Sequence, residues 1–178
     1  MELHIITRQE TEKDHEAVRE LVRLAFLNVP FGDHDEHFLV DRLRRSETFI
    51  PELSIVAEIA GEIVGYILFT KLIIENGDER TETLSLAPLA VLPEYQCRGI
   101  GSALVTEGLT LAKAMAYQSV IVVGHPHYYP RFGFMPAGEW GICAPFDVPG
   151  EAFMACELCE GALRGVKGTV LFPKEFGL

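Results

Sequence analysis

Residues 84–92 run Leu-Ser-Leu-Ala-Pro-Leu-Ala-Val-Leu, an apolar stretch interrupted only by Ser85 and Pro88, and a glycine-bearing turn and an amphipathic segment follow at once. Such a run suits a strand covered on both faces, not one half open to water. Pro88 cannot donate to a ladder, so the strand is expected to bend there or to lose a neighbour halfway, which frees backbone groups. Past the turn, Leu104, Leu111 and Met115, with Val105 and Ala112 beside them, share one face at helical spacing. The turn therefore delivers N–H groups to a helix N-terminus, where orphan amides and the helix dipole favour an anion.

Gly99 and Gly101 let the backbone approach a ligand with no Cβ in the way. Two familiar nucleotide motifs fail. A dinucleotide fingerprint needs a third glycine where this chain has Leu104, and the Gly-Lys-Ser/Thr of a Walker loop is absent. What remains is Gln96-x-x-Gly99-x-Gly101 after an apolar strand with a proline-containing corner.

The length of 178 residues predicts one domain over 1–178, and 48% hydrophobic residues suffice for a sizeable core. With 15 Lys+Arg against 26 Asp+Glu, the net charge of −11 opposes nucleic acid and anionic membranes and favours cationic partners such as amines. No window reaches the uncharged length of a membrane span, and no basic-then-apolar leader opens the chain, so a soluble, cytoplasmic protein is expected. Four cysteines, at 97, 143, 156 and 159, are too few and too clustered for a disulfide scaffold and fit a reducing compartment. Cys156-x-x-Cys159 lacks the second ligand pair of a structural zinc site, so no metal is expected. Cys97 lies inside the glycine turn, near helix-terminal amides, and is read as a tolerated small residue.

Taken in order, Leu3–Thr7 reads as a first strand, and Thr11 and Asp14 cap a helix to about Phe26 with Ala17, Val18, Leu21, Val22 and Ala25 inward. Residues 28–35 form a loop, and 36–45 a shorter helix with Phe38, Leu39 and Leu43 inward. Two strands, 53–60 and 63–75, meet at a tight hairpin, and Asn76-Gly-Asp turns the chain into the strand at 84–92. A helix over 100–117 crosses to Ser119–Gly124, a buried strand parallel to 84–92. Further strands are expected near 152–158 and 168–172.

The Gln96-x-x-Gly99-x-Gly101 turn resembles the acyl-CoA pyrophosphate loop of the GNAT N-acetyltransferases. A second motif of that family, Tyr-x-x-x-Gly-Phe after a later strand and a short helix, is matched by Tyr129-Pro-Arg-Phe-Gly133-Phe134. Pro-Leu-Ala-Val-Leu-Pro-Glu-Tyr-Gln and Gly-His-Pro-His-Tyr-Tyr-Pro-Arg-Phe-Gly-Phe together look most like its YhbS-like branch. The resemblance covers roughly residues 3–138. It implies an α/β (α+β) fold with a mixed, mostly antiparallel central sheet, a splayed parallel strand pair and flanking helices. It also implies acetyl-CoA as co-substrate: Leu89, Ala90 and Val91 would offer backbone groups to pantetheine, and Gln96, Cys97, Arg98, Gly99, Ile100, Gly101, Ser102 and Ala103 would wrap the pyrophosphate. The helix-loop-helix would form the acceptor side, which makes Phe31, Asp33, His34, Asp35 and Glu36 candidate substrate contacts; as plain sequence they also read as a solvated, helix-capping loop.

An amine near pKa 10.4 must lose a proton before attack, at a cost of about 4–5 kcal/mol at pH 7. The backbone at Val91 could polarise the thioester oxygen, and Tyr129, by its motif position, would protonate the departing thiolate. Where histone-type members of the family carry a glutamate base this chain has Leu86, leaving Glu82 acting through waters, or His125, as candidates; His127 ranks lower. The asparagine often found seven residues before the tyrosine is Val122 here, and His125 with Pro126 also reads as a simple cap of that turn. The function expected is direct acetyl transfer from acetyl-CoA to a primary amine. Alternatives are a regulatory acyl-CoA-binding domain and a transferase using another acyl donor. Acceptor identity, and monomer against homodimer, stay open.

Overall fold

The computed structural model describes residues 3–30 and 32–178. The elements run β1 (Ile6–Gln9), α1 (His15–Phe26), α2 (Glu36–Arg44), β2 (Phe49–Ile59), β3 (Glu62–Asn76), β4 (Glu79–Val91), α3 (Ile100–Ala114), β5 (Ser119–Val123), β6 (Met135–Pro136), β7 (Ile142–Cys143), β8 (Phe153–Glu157) and β9 (Gly168–Leu171), with short 3-10 turns between several of them. The strands join in the order β1-β2-β3-β4-β5-β8-β6, with β9 paired to β3 and β7. This is the mixed, mostly antiparallel α/β sheet expected. Contacts divide the chain into two compact units, one built from the chain up to Phe69 with Ala87–Leu111, the other from Thr70–Leu86 with Ala112–Leu178. The long strands β3 and β4 contribute to both.

In the first unit, β1 pairs antiparallel with β2, Ile6 opposite Glu58 and Gln9 opposite Ile55. The strand thus begins and ends later than the expected Leu3–Thr7, because the ladder with β2 sets its limits. The β2–β3 hairpin closes on Ala60 and Gly61, both at positive φ, the pattern of a two-residue turn whose twist matches its strands. α1 buries Val18, Leu21 and Val22 and leaves Ala17 exposed. α2 turns inward His37, Val40 and Leu43, whereas Phe38 is 45% exposed. That corrects the expected inward Phe38: its ring lies under the Arg19 guanidinium, 5.0 Å away, and so is partly covered without entering the core.

The seat of α3 depends on two close approaches. A Cβ on Gly65 of β3 would stand 2.8 Å from Ile100 and 2.9 Å from Leu104, and one on Gly108 would stand 2.2 Å from the Phe69 ring. The helix therefore rests almost on the strand backbone. Met115 is exposed and lies past the end of α3, a correction to its expected place on the buried face; the helix stops at Ala114 and the chain turns through Ala116 at φ 68°. On the other face of β3, Tyr66 is fully buried and its hydroxyl meets Ser54 Oγ at 2.8 Å. Ser54 donates to Glu10 at 2.6 Å, and the buried Arg44 guanidinium pairs with the same carboxylate and, at 2.8 Å, with Asp41. This network ties β1, β2, β3 and α2 together.

In the second unit β4 and β5 run parallel, Leu84 opposite Val120 and Ser85 opposite Ile121. The pairing ends three residues before Pro88, in keeping with a residue that has no N–H to offer. β5 then keeps only its other neighbour, pairing antiparallel with β8 from Ser119–Glu157 to Val123–Phe153. β9 pairs antiparallel with the last part of β3, Ile73 to Glu75. Leu72, Ile74, Ile121, Ala137, Ile142, Phe153, Ala155, Leu163 and Val170 form a buried cluster. The short strands β6 and β7 escaped the sequence reading. Two residues are too few to show a period, and β6 exists because β8 offers it a free edge.

Candidate active site

β4 ends at Val91, and Leu92 N–H is tied back to Val64 C=O at 2.9 Å. Pro93–Tyr95 make one 3-10 turn, and Gln96 Nε2 donates to Val91 C=O at 3.2 Å, so the side chain that opens the motif braces the strand end it follows. Cys97 and Gly99 both adopt positive φ, 60° and 84°. For Gly99 this is the conformational reason for glycine, since a Cβ there would meet nothing within 4 Å. The first bond entering α3 is Ala103 N–H to Gly99 C=O at 3.0 Å. The amides of Ile100, Gly101 and Ser102 precede it and are unspent by the ladder, at the positive end of a helix of 15 residues. Gln96, Cys97, Arg98 and Gly99 are exposed, and Ile100 is buried against Gly65. Arg98 stacks over the Tyr95 ring at 5.6 Å, and Tyr95 donates to Glu62 at 3.1 Å. The structure thus brings the residues of the motif into one open, amide-lined turn held to β3. Leu89 and Val91 are half-buried and Ala90 is buried, all on the last stretch of β4.

In the second unit, Gly124 follows β5 and its N–H donates to Ala152 C=O at 2.9 Å. His125 C=O then accepts from Tyr128 N–H at 3.1 Å and Tyr129 N–H at 3.4 Å. Its backbone makes the turn while its ring, like that of His127, is exposed. Tyr129 opens a 3-10 turn that Gly133 ends at φ 95°. Its ring is 8% exposed, edge-on to Tyr128 and to Phe134. Burial raises the phenol above its ordinary range, and the hydroxyl makes no hydrogen bond with a described residue. Glu82 is exposed on β4, ahead of the residues that pair with β5. β4 and β5 are parallel, so Glu82 lies at the end of the pair where β5 begins and Tyr129 follows the end where β5 stops. The structure does not bring these two together.

The loop before α2 shows mixed roles. Asp33 and His34 are exposed, and His34, at φ 56°, contacts Phe26 C=O through Nδ1 at 2.8 Å. Asp35 caps α2, its C=O accepting from Phe38 and Leu39 N–H, and its carboxylate accepts from Arg42 at 3.1 Å. Glu36 opens α2 with one carboxylate oxygen buried and without a partner among the described residues. Phe31 lies outside the described residues. His37, not singled out from sequence, is buried with an unpartnered Nδ1. Among the described residues no group of three or more His, Cys, Asp or Glu is placed to hold a metal ion. Cys156 is buried and its thiol is pushed up to about 11 by desolvation. No helix of the described residues is long and apolar enough to cross a membrane.

The sequence model of the Acetyltransferase (GNAT) family matches residues 14–134. The chain is 40% identical over 158 residues to the uncharacterized N-acetyltransferase YjhQ of Escherichia coli K12, covering 88% of this chain and 84% of that one. It is 30% identical over 152 residues to the uncharacterized N-acetyltransferase YhbS of the same strain, covering 85% and 89%. The fold is similar to the crystal structure of Escherichia coli YhbS in complex with CoA, with a TM-score of 0.88 at 29% identity over 99% of this chain and 93% of that one. It is also similar to a GNAT family acetyltransferase from Brucella melitensis in complex with acetyl-CoA, with a TM-score of 0.80 at 27% identity over 97% and 98%. With its amide-lined turn, its shortened parallel pair and a family match across most of its length, the chain belongs to the GNAT acetyltransferase family.

Proposed function

We propose that this protein transfers the acetyl group of acetyl-CoA directly to a primary amine. One observation carries the reading: the amides of Ile100, Gly101 and Ser102 stand ahead of the first helical hydrogen bond, at the end of an exposed turn whose Gly99 needs its positive φ. Three unspent donors and a helix dipole suit a pyrophosphate. Relatives of the same fold that hold CoA and acetyl-CoA support it.

In this reading Gln96 to Ala103 wrap the pyrophosphate, Leu89 to Val91 present backbone to pantetheine, and a backbone N–H at Val91 polarises the thioester oxygen. The amine nitrogen attacks the carbonyl carbon, the tetrahedral intermediate collapses, and the carbon–sulfur bond breaks. Tyr129 gives its phenol proton to the departing sulfur. Its raised pKa keeps it protonated throughout the neutral range, and the desolvation that raises it acts in the same sense on a thiolate. Before attack the substrate ammonium gives its proton to solvent or to His125, which is exposed and can exchange with water; the N–H proton lost as the amide forms passes to solvent, from which the Tyr129 phenolate is reprotonated. Glu82 is the less well placed candidate base, being at the other end of β5 from Tyr129. Asp33, His34, Asp35 and Glu36, with Phe31, are the proposed acceptor contacts. The unpartnered Glu36 oxygen favours a cationic amine, as does the net charge of −11.

The test is calorimetric titration of acetyl-CoA into wild type and Gly99→Glu. The open space beside Gly99 means that the new carboxylate has room, but it places negative charge and a strained φ at the anion site. Wild-type binding that the variant loses supports the reading; no wild-type binding sinks it. An amine panel of a diamine, an aminosugar and a peptide N-terminus then separates an enzyme from a domain that only binds acyl-CoA.

A further inference from the structure

Gly124 has no conformational reason to be glycine. Its φ is not positive, so an ordinary side chain has the backbone it needs. The reason is spatial. A Cβ at Gly124 would stand 2.3 Å from Cε2, 2.9 Å from Cδ2 and 3.3 Å from Cζ of Tyr129, so the Cδ2–Cε2 side of the ring, next to the carbon that carries the hydroxyl, lies directly on the Gly124 backbone. That backbone is held by its N–H bond to Ala152 of the turn before β8. Tyr128 and Phe134 meet the same ring edge-on at centroid distances of 5.2 and 5.6 Å. The phenol therefore sits in a slot with three walls, and the closest of them is a missing methyl group.

We infer that Gly124 is a positioning residue for the Tyr129 hydroxyl, the absence of its side chain fixing where that proton donor stands. The inference rests on the proposed role of Tyr129. Even one methyl must push the ring by about 1 Å to restore an ordinary contact, and a misplacement of about 1 Å costs on the order of 100-fold in rate. The change acts through the ring and not through the pyrophosphate turn, so acetyl-CoA affinity is expected to hold.

The test labels the five tyrosines with 13C at Cζ and assigns Tyr129 by the signal missing from Tyr129→Phe. In Gly124→Ala the Tyr129 signal is expected to shift and to titrate closer to the ordinary phenol range, while calorimetry shows acetyl-CoA binding within about threefold of wild type. Thiol release from acetyl-CoA with the fastest amine of the panel should fall on the order of 100-fold in kcat, and Gly124→Ala/Tyr129→Phe should be no slower than Tyr129→Phe. A Tyr129 signal unchanged in Gly124→Ala overturns the inference, as does a double variant that loses the product of both single effects. If Gly124→Ala does not fold, Gly124→Ala/Tyr129→Ala against Tyr129→Ala decides: with the clashing ring gone the extra methyl should cost no further stability in urea unfolding, and a double variant clearly less stable than Tyr129→Ala overturns the steric account. Wild-type turnover in Tyr129→Phe instead sinks the acid role of Tyr129, a failure separate from that of the slot geometry.

Discussion

Tyr129 and Asp14 show how one side chain's surroundings set its chemistry. The Tyr129 phenol has an unspent O–H and apolar walls, so Tyr129→Phe keeps the packing and deletes only the proton. The expected result is a fall in kcat of about 10²–10⁴-fold with the acetyl-CoA affinity unchanged, read from thiol release beside calorimetry. Asp14 is the opposite case. Its carboxylate accepts from two Arg8 nitrogens at 2.7 and 3.0 Å and from Thr11 N–H and hydroxyl at 2.7 and 2.9 Å, and Arg8 first among these holds its pKa well below the usual range. A carboxylate depressed on folding contributes stability above its unfolded value, near pH 4, and loses it as pH falls below that. Asp14→Asn should therefore cost about 1–3 kcal/mol at pH 7 in urea unfolding, and the gap should narrow in acid; an equal gap at pH 3 would refute the assignment. Asp14 is legible in the sequence as a cap, but its pairing with Arg8 is not, because a guanidinium's partner is set by how β1 is held in the fold and leaves no periodic trace.

At the scale of elements, α3 was legible nearly to its ends because its apolar spacing and its glycine turn agree, and the interrupted β4–β5 pairing was legible in Pro88. α2 was not. Its nine residues carry both Phe38 and His37, hydrophobicity favours the phenylalanine, and packing against α1 chose the histidine face. The motif residues were readable as a pattern, whereas what holds the pattern in place, Gly65 beneath Ile100 and Gly108 beneath Phe69, depends on distances across the sheet. Gly108→Ala places a methyl 2.2 Å from the Phe69 ring. Against the better helix propensity of alanine, overpacking should prevail, with a net loss of about 1–3 kcal/mol in thermal or urea unfolding; a more stable variant would show that the ring can move aside.

For the molecule as a whole, binding and stability are linked. At 100 times its Kd, acetyl-CoA should stabilise the folded state by about 2.7 kcal/mol, which for a chain of this size raises Tm by about 5–10 °C. Gly99→Glu should abolish the shift in the same thermal scan; an equal shift would place the ligand elsewhere. The mostly antiparallel sheet, its parallel pair and the place of the helices could be anticipated from the chain, since hairpin turns and apolar runs are local signals. Glu10, Ser54, Tyr66 and Arg44 could not: they form one buried network from positions as much as 56 residues apart in the sequence, and nothing local distinguishes them from surface polar groups.

The two glycine contacts beneath α3 have a further meaning for variation in this chain. The helix is fastened to β3 at its beginning and its middle, so the position of its first amides is inherited from the sheet and owes little to the identities of Cys97 and Arg98, both exposed in the turn. Exchanges at those two positions therefore change the turn's own contacts with an anion, while the place of the helix amides stays where β3 has put it.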